Sequence, residues 1–423
     1  MPQLKLHWQI LIAILLAILA GSLSGTHTII LSVNVYEVYQ FIGTLFLNAL
    51  KMIVVPLIVA SIITGVAGLG QNEGLGRLGL KTLGFYTLSS FLAIMVGLLM
   101  VNLVQPGLVN GQPAKAILGL DPQAVADVTA KVAGRDTSDI IEIFVRMIPT
   151  NVVDAAANGE MLGLIFFAIL FGYFMTKIQK EHYEILMGFW QGIMDTMIAM
   201  TMWVMKFAPI GVFGLVAKTI ASTGFAAIMP LLTFALVVFV GLMIHMFMVL
   251  PSLLLLFGKL NPKMHLKTMT PALLTAFSTA SSSATLPMTL DCMQKAGVSN
   301  RTRSFVLPLG ATVNMDGTAL YECVAALFIA QAYGLALSIE VQFTVVLLAL
   351  LTSIGVAGIP AASLVAITII LTAIGLPLEA IGLILVTDRI LDMFRTAVNV
   401  YSDSWAAVII AKSEKEAVYS KLT

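Results

Sequence analysis

The chain has 423 residues, of which 59% are hydrophobic and 11% charged, a balance that excludes a soluble globular protein of ordinary make-up and reads as a polytopic membrane protein. A formal net charge of +1 argues against nucleic acid as a partner. Two cysteines, Cys292 and Cys323, are too few and too apolar in setting for a disulfide framework or a structural zinc site, and read as packing residues.

Apolar segments of crossing length, about 20 residues each, run at 8–25, 41–69, 79–104, 160–177, 185–220 and 226–257, followed by a less regular region at 266–411. Lys5 and His7 lead into the first run without a small-residue cleavage site, so that run reads as the first spanning helix rather than a signal peptide. The polar, Gly- and Pro-bearing connection from Pro106 to Asp139 reads as an external loop.

Basic residues set the orientation. Lys5, Arg77, Lys81, Lys177, Lys180, Lys259, Lys263, Lys267, Arg301, Arg303, Lys412, Lys415 and Lys421 mark one side, whereas the connections near Ser32, Ser222, Ser338 and Gly375 carry none. The positive-inside rule then puts both termini in the cytoplasm. Parity requires 266–296 to enter and leave from the cytoplasm and 340–372 to enter and leave from outside, each a hairpin that does not span. Each has a tip of small residues, Ser278–Thr285 in one and Gly355–Ser363 in the other. Such irregular backbone is tolerated at membrane depth only when buried in protein or lining a cavity. Two interrupted segments in corresponding places, each followed by a polar-bearing helix, suggest an inverted repeat.

Between the hairpins, the apolar run Ser304–Tyr333 is interrupted by Gly310-Ala311-Thr312-Val313-Asn314-Met315-Asp316-Gly317-Thr318. A bare carboxylate and freed backbone groups at mid-membrane are costly and point to a bound ion or substrate. A helix broken there is the pattern of secondary transporters. In the last helix, at about 376–411, a step of about 100° per residue puts Asp388, Asp392, Arg395, Asn399 and Asp403 on one stripe, with Thr396 at its edge. At about 2.5–3.5 kcal/mol per charge, four charges cannot face lipid. Arg389 lies off the stripe, in reach of Asp392 one turn later.

The run NMDGTALYE, the tips SSSATLP and GVAGIPAAS, and the helix motif DRILDMFRTAVNVYSDS closely resemble the glutamate/aspartate transporter family of dicarboxylate and amino-acid:cation symporters. The resemblance covers nearly the whole chain. It implies an all-α polytopic protein with eight transmembrane helices and two re-entrant hairpins, assembled as a homotrimer that works as an elevator. Residues 1–75 would be scaffold helices one and two, 76–104 the third helix of the transport domain, 105–140 an external loop and 141–222 scaffold helices four and five. Residues 223–412 would complete the transport domain, and 413–423 would be a cytoplasmic tail. The implied function is sodium-coupled uptake of L-aspartate or L-glutamate across the cell (inner) membrane, with no enzyme activity and no organic cofactor. Proton-coupled glutamate/aspartate symport and C4-dicarboxylate symport are the alternatives.

By the same resemblance Arg395 would pair with the substrate's side-chain carboxylate, Asp392 would hold its ammonium, and Ser282 and Asn399 would meet the α-carboxylate. Met315, Thr318, Ile359, Ala362, Ser363 and Thr396 would complete that site. One sodium site would use Gly310, Asn314, Asn399 and Asp403. A second would use Tyr86, Ser89, Ser90, Asn314 and Asp316, and a third Thr312, Ser353, Ile354 and Val356, since hard cations take oxygen ligands. Glu322 matches a position tied to proton transport in animal relatives. Ala280 and Met393 stand where relatives carry an arginine, and Arg389 is a candidate replacement for that charge. An intramembrane aspartyl protease would need two motif-embedded aspartates that this ladder lacks, and a channel would need no occluding tips.

Overall fold

The computed structural model describes residues 6–30, 33–69, 76–115, 117–118, 145, 148–158, 161–224, 228–335, 337–353, 362–377 and 380–419. They are almost entirely helical: α1 (Leu6–Ser24), α2 (Val35–Leu69), α3 (Gly76–Val104), α4 (Val152–Asn158), α5 (Met161–Met175), α6 (Lys180–Met205) and α7 (Ala208–Thr223). Next come α8 (Ile228–Gly258) and then α9 (Pro262–Thr279), α10 (Ser282–Lys295), α11 (Asn300–Val313), α12 (Asp316–Tyr333), α13 (Ile339–Ser353), α14 (Ala362–Ala373) and α15 (Ile381–Ser413). Two antiparallel pairs of two residues each, Ile29–Ile30 with Val33–Asn34 and Leu108–Val109 with Gln112–Pro113, close the turns after α1 and α3.

Among the described residues three helices are long and apolar enough to cross a membrane: Arg77–Val104, Ile228–Gly258 and Asn300–Tyr333, the last containing the α11–α12 break. The run 185–220, which reads as one segment in the sequence, is two helices bent by 55°. Pro209 sits in the first turn of α7 and cannot donate a hydrogen bond back across the junction, so a new helix starts there. Large apolar side chains such as Leu15 and Leu19 on α1 and Leu232 and Leu236 on α8 are more than half exposed, an outer surface suited to lipid rather than water.

The helices fall into two groups. α1 and α2 both pack on α7, and α2 also packs on α5 and α6. In the second group α15 is packed by α8, α9, α10, α11 and α12, while α12 is covered by α3, α13 and α14. The groups meet chiefly where α15 crosses α7. α12 is the most deeply placed element, with every residue but Gln331 buried.

The first hairpin is α9 and α10, packed on each other and on α15. Its tip is less irregular than the serine run suggests. Ala280, with φ of 49°, ends α9, and the Ser281 hydroxyl accepts from Ala284 N–H to cap α10, so Ser282–Thr285 are already helical. Only two residues are needed to reverse the chain, because a serine caps the returning helix. Of the second tip only Ala362 and Ser363, at the start of α14, are described; residues 354–361, including Ile354, Val356 and Ile359, lie outside the described set.

At one end the C-terminal segment lies across the second group. Lys81 Nζ is 2.5 Å from Glu414 Oε1, Glu416 accepts from the backbone and hydroxyl of Ser299 at 2.7 Å each, and the Tyr419 hydroxyl is 2.7 Å from His265 Nδ1. Half-buried Glu414 is held below the usual carboxylate range by its hydrogen bond from Lys81.

Candidate functional site

The break in the polar run falls at Asn314 and Met315, whose dihedrals leave the helical region (φ −102°, ψ 88° and φ −117°, ψ 59°). A break frees backbone groups that cannot face lipid, and α15 supplies a partner: Asn399 Oδ1 accepts from Gly317 N–H at 2.8 Å. Here glycine is required by space, since a β-carbon at 317 would sit 2.7 Å from the Arg395 carbonyl oxygen. Asn399 Nδ2 donates to Thr318 Oγ1 at 3.1 Å, tying the start of α12 to α15 a second time.

Asp316 is completely buried and takes hydrogen bonds from four side chains on three helices. Ser89 donates to its Oδ2 and Ser90 to its Oδ1 at 2.7 Å. Ser402 reaches Oδ2 at 2.6 Å, and His245 Nε2 lies 2.9 Å from the same oxygen. His245 stands at the start of a wide π turn in α8 in which Leu250 N–H reaches back five residues to the His245 carbonyl, a turn form frequent at functional sites. Next to Asp316, Asn314 Nδ2 donates to Asp403 Oδ1 at 2.9 Å and to Ser402 Oγ at 3.0 Å. Its carbonyl oxygen Oδ1 is buried without a hydrogen-bond partner among the described residues. The Tyr86 hydroxyl donates to the Val306 carbonyl at 2.7 Å. A β-carbon on Gly310 would press on both Tyr86 and Asp403, so Gly310 leaves the space in which they approach.

Two of the three cation sets expected from the sequence therefore come together around the break, apart from Asn399, whose contacts lie with Gly317 and Thr318. The third set is not assembled among the described residues. Thr312 and Ser353 spend their hydroxyls on the Leu309 and Leu350 carbonyls one turn back in their own helices. No group of three His, Cys, Asp or Glu side chains among the described residues could hold a metal ion. What the break offers instead is hydroxyl, amide and carboxylate oxygen, with the unpartnered Asn314 Oδ1 among it. That chemistry fits a hard cation.

Two turns away along α15 is a second cluster. Arg395, completely buried, donates from Nη2 to Asp388 Oδ1 at 2.9 Å and to Asp392 Oδ1 at 3.0 Å, and from Nη1 to Ser363 Oγ at 2.7 Å. Its Cζ lies 3.9 Å from the Tyr321 ring centroid, a cation–π contact that helps hold a desolvated guanidinium. Arg389 Nη1 donates to the other oxygen of Asp392 at 3.1 Å. Thr396, next to Arg395 in sequence, is buried, as are Met315 and Thr318 at the α11–α12 break and Ser282 at the start of α10. Among the described residues no hydrogen bond joins Ser282 or Thr396 to this cluster. Ala362 opens α14, and its side chain lies outside the described set.

Some partners escape a reading of sequence alone. His245 is a lone histidine in an apolar helix; the signal near it is Pro251, six residues on, which marks irregular backbone. Ser402 neighbours Asp403 in the motif but gives no sign of bridging Asp316 and Asn314. Glu322 is completely buried, and its Oε2 accepts from Thr352 of α13 at 2.8 Å, a pairing that no spacing rule connects. Asp388 is visible on the polar stripe, but only the structure identifies it as the partner of Arg395.

Residues 6–413 match the family described as sodium:dicarboxylate symporters. A proton/sodium-glutamate symport protein of Bacillus caldotenax is 38% identical over 98% of this chain and 96% of its own length. A proton/glutamate-aspartate symporter of Escherichia coli (strain K12) is 37% identical over 97% of this chain and 93% of its own. Excitatory amino acid transporter 3 of Homo sapiens is 34% identical over 98% and 87%.

Proposed function

The chain belongs to the sodium:dicarboxylate symporter family, a family of transporters rather than enzymes, and on that premise we propose that it takes up L-aspartate or L-glutamate coupled to sodium. The observation that carries this reading is the arrangement along α15. A desolvated guanidinium in reach of the second hairpin stands next to an oxygen-lined break. An acidic amino acid needs a fixed cation for its side-chain carboxylate, and arginine offers the bidentate fork that lysine lacks. Asp392 takes the ammonium, and Thr318 and Asn399 contribute polar groups between the two clusters. Sodium, as co-transported substrate, is held by Asp316, Asn314, Asp403, Ser89, Ser90 and the Tyr86 hydroxyl.

The transport domain consists of 76–104 and 223–412, and the scaffold of 1–75 and 141–222. The separate packing of α1, α2, α5, α6 and α7 supports that division. Eight crossings and two hairpins, assembled as a homotrimer in the cell (inner) membrane with both termini cytoplasmic, complete the reading. The clustering of Arg77, Lys81 and the C-terminal segment at one end supports a common side for those loops.

Proton coupling is the second reading, favoured by Glu322, a fully buried carboxyl whose Oε1 has no hydrogen-bond partner. Radiolabelled uptake of L-aspartate and L-glutamate into proteoliposomes under imposed sodium, proton or potassium gradients tests both. Accumulation under a sodium gradient alone supports the first; accumulation under a proton gradient in sodium-free buffer overturns it.

A further inference from the structure

Asp392 is gripped on both carboxylate oxygens, by two different guanidiniums. Arg395 Nη2 holds Oδ1 at 3.0 Å and Arg389 Nη1 holds Oδ2 at 3.1 Å. With Asp388 bound to Arg395 as well, the cluster contains two carboxylates and two guanidiniums and is formally neutral as it stands. An ammonium arriving at Asp392 therefore meets a carboxylate already satisfied by cations.

One of the two must yield, and they differ in what yielding costs. Arg395 is 0% exposed and is anchored by Asp388, Ser363 and the Tyr321 ring as well, so it stays in place whether or not it holds Asp392. Arg389 is 8% exposed at the margin of the cluster, and its Nε has no hydrogen-bond partner among the described residues. It bonds Asp392 through a single Nη1 contact, and of the two guanidiniums it is the one nearer the surface.

We propose that Arg389 is a specificity-determining residue, competing with the substrate's ammonium for Asp392 and so favouring diacids without an amino group over amino acids. This rests on the reading of Asp392 as the ammonium receptor. A four-carbon diacid that carries no amine leaves the Arg389–Asp392 pair in place, whereas the matching amino acid must displace it.

L-aspartate and succinate differ by that one amino group, so their affinities for purified full-length protein at fixed saturating sodium isolate the effect. Removing a charge-assisted competitor of this kind is worth about tenfold in affinity. The aspartate-to-succinate affinity ratio is therefore expected to rise about tenfold in Arg389→Gln and by less in Arg389→Lys, which keeps the charge but loses the fork. A ratio that stays at the wild-type value, or falls, overturns the proposal; a fall would mean that Arg389 holds Asp392 in place for the ammonium. Should the Gln variant fail to fold, the Lys variant decides by the same sign. Wild-type protein that binds neither ligand sinks the acidic-substrate reading itself, an outcome distinct from an unchanged ratio.

Discussion

The two halves of α15 solve one problem in opposite ways. Each buries a pair of carboxylates. Asp388 and Asp392 are matched by Arg389 and Arg395, whereas Asp403 and the neighbouring Asp316 are surrounded by Ser89, Ser90, Ser402, Asn314, Tyr86 and His245, with no arginine or lysine bonded to them among the described residues. A buried carboxylate must be compensated by positive charge, and its desolvation outweighs what neutral donors return. The arginine half therefore carries its own cations and can offer one to an anionic substrate. The hydroxyl half has none bonded to it among the described residues, and on the proposed function it draws its cation from solution. On the proposed function, coupling rests on this difference, because the arginine half offers fixed cations to an anionic substrate and the other half takes its cation from solution.

The largest effect is expected from removing the cation of the first half. In Arg395→Cys, Asp388 loses its only identified ion-pair partner and Asp392 one of two, and breaking a buried pair costs about 3–5 kcal/mol. Uptake of acidic substrates should fall to background while neutral amino acids become substrates, measured as competition against a radiolabelled neutral amino acid. Wild-type affinity for aspartate in this variant would remove Arg395 from the substrate site. On the other half, Asp403→Asn keeps the shape and the Asn314 contact but deletes the charge. Sodium should then support aspartate binding only at concentrations about tenfold or more higher, read from a sodium titration. A sodium curve that does not move would mean that Asp403 is a structural acceptor for Asn314.

How far this comparison can be read from sequence depends on the element. The polar face of α15 is readable because helical periodicity alone collects Asp388 to Asp403 on one stripe, and four charges on one stripe cannot face lipid. The site of the α11–α12 break is readable for the same reason: Asn314, Asp316 and Gly317 have no place in an unbroken apolar crossing. The partners across helices are not. His245, Thr352 and Ser402 are chosen by packing, and a lone histidine or hydroxyl in an apolar helix has the same local pattern whether or not it meets a carboxylate. Nor is the bend at Lys206–Phe207 visible, since hydropathy runs through it and only Pro209 marks it. The left-handed Ala280 at the first tip is likewise hidden, because alanine carries no preference for that conformation.

A milder change sharpens the comparison inside the substrate half. In Asp392→Ser the amino acid loses its ammonium partner, but Arg395 keeps Asp388 and Ser363, so succinate should be nearly unaffected while aspartate binds about tenfold more weakly. Equal losses for the two ligands would make Asp392 a structural brace for the arginines. Within the oxygen half, Ser402→Ala removes one donor each from Asp316 and Asn314. At about 1–3 kcal/mol for a buried group left unsatisfied, it should weaken sodium-dependent binding by less than Asp403→Asn does. A larger loss than in Asp403→Asn would shift the centre of the cation site toward Ser402.

The smallest effect is expected at Glu322, which belongs to neither half. It is a fifth buried carboxyl, on α12, held by one hydroxyl from Thr352 and paired with no arginine or lysine among the described residues. If cations from solution serve only the Asp316–Asp403 half, replacing Glu322 with the isosteric Gln should leave sodium-driven aspartate exchange at the wild-type rate, since Gln can still accept from Thr352 and no sodium ligand is touched. The test lies in net uptake at different pH. A carboxyl that takes up and releases a proton during the cycle gives net uptake a pH dependence that an amide cannot. Glu322→Gln should therefore flatten the pH profile without changing exchange. A Gln variant that keeps the wild-type profile would remove the proton role, and one that loses sodium-driven exchange would place Glu322 within the cation half after all.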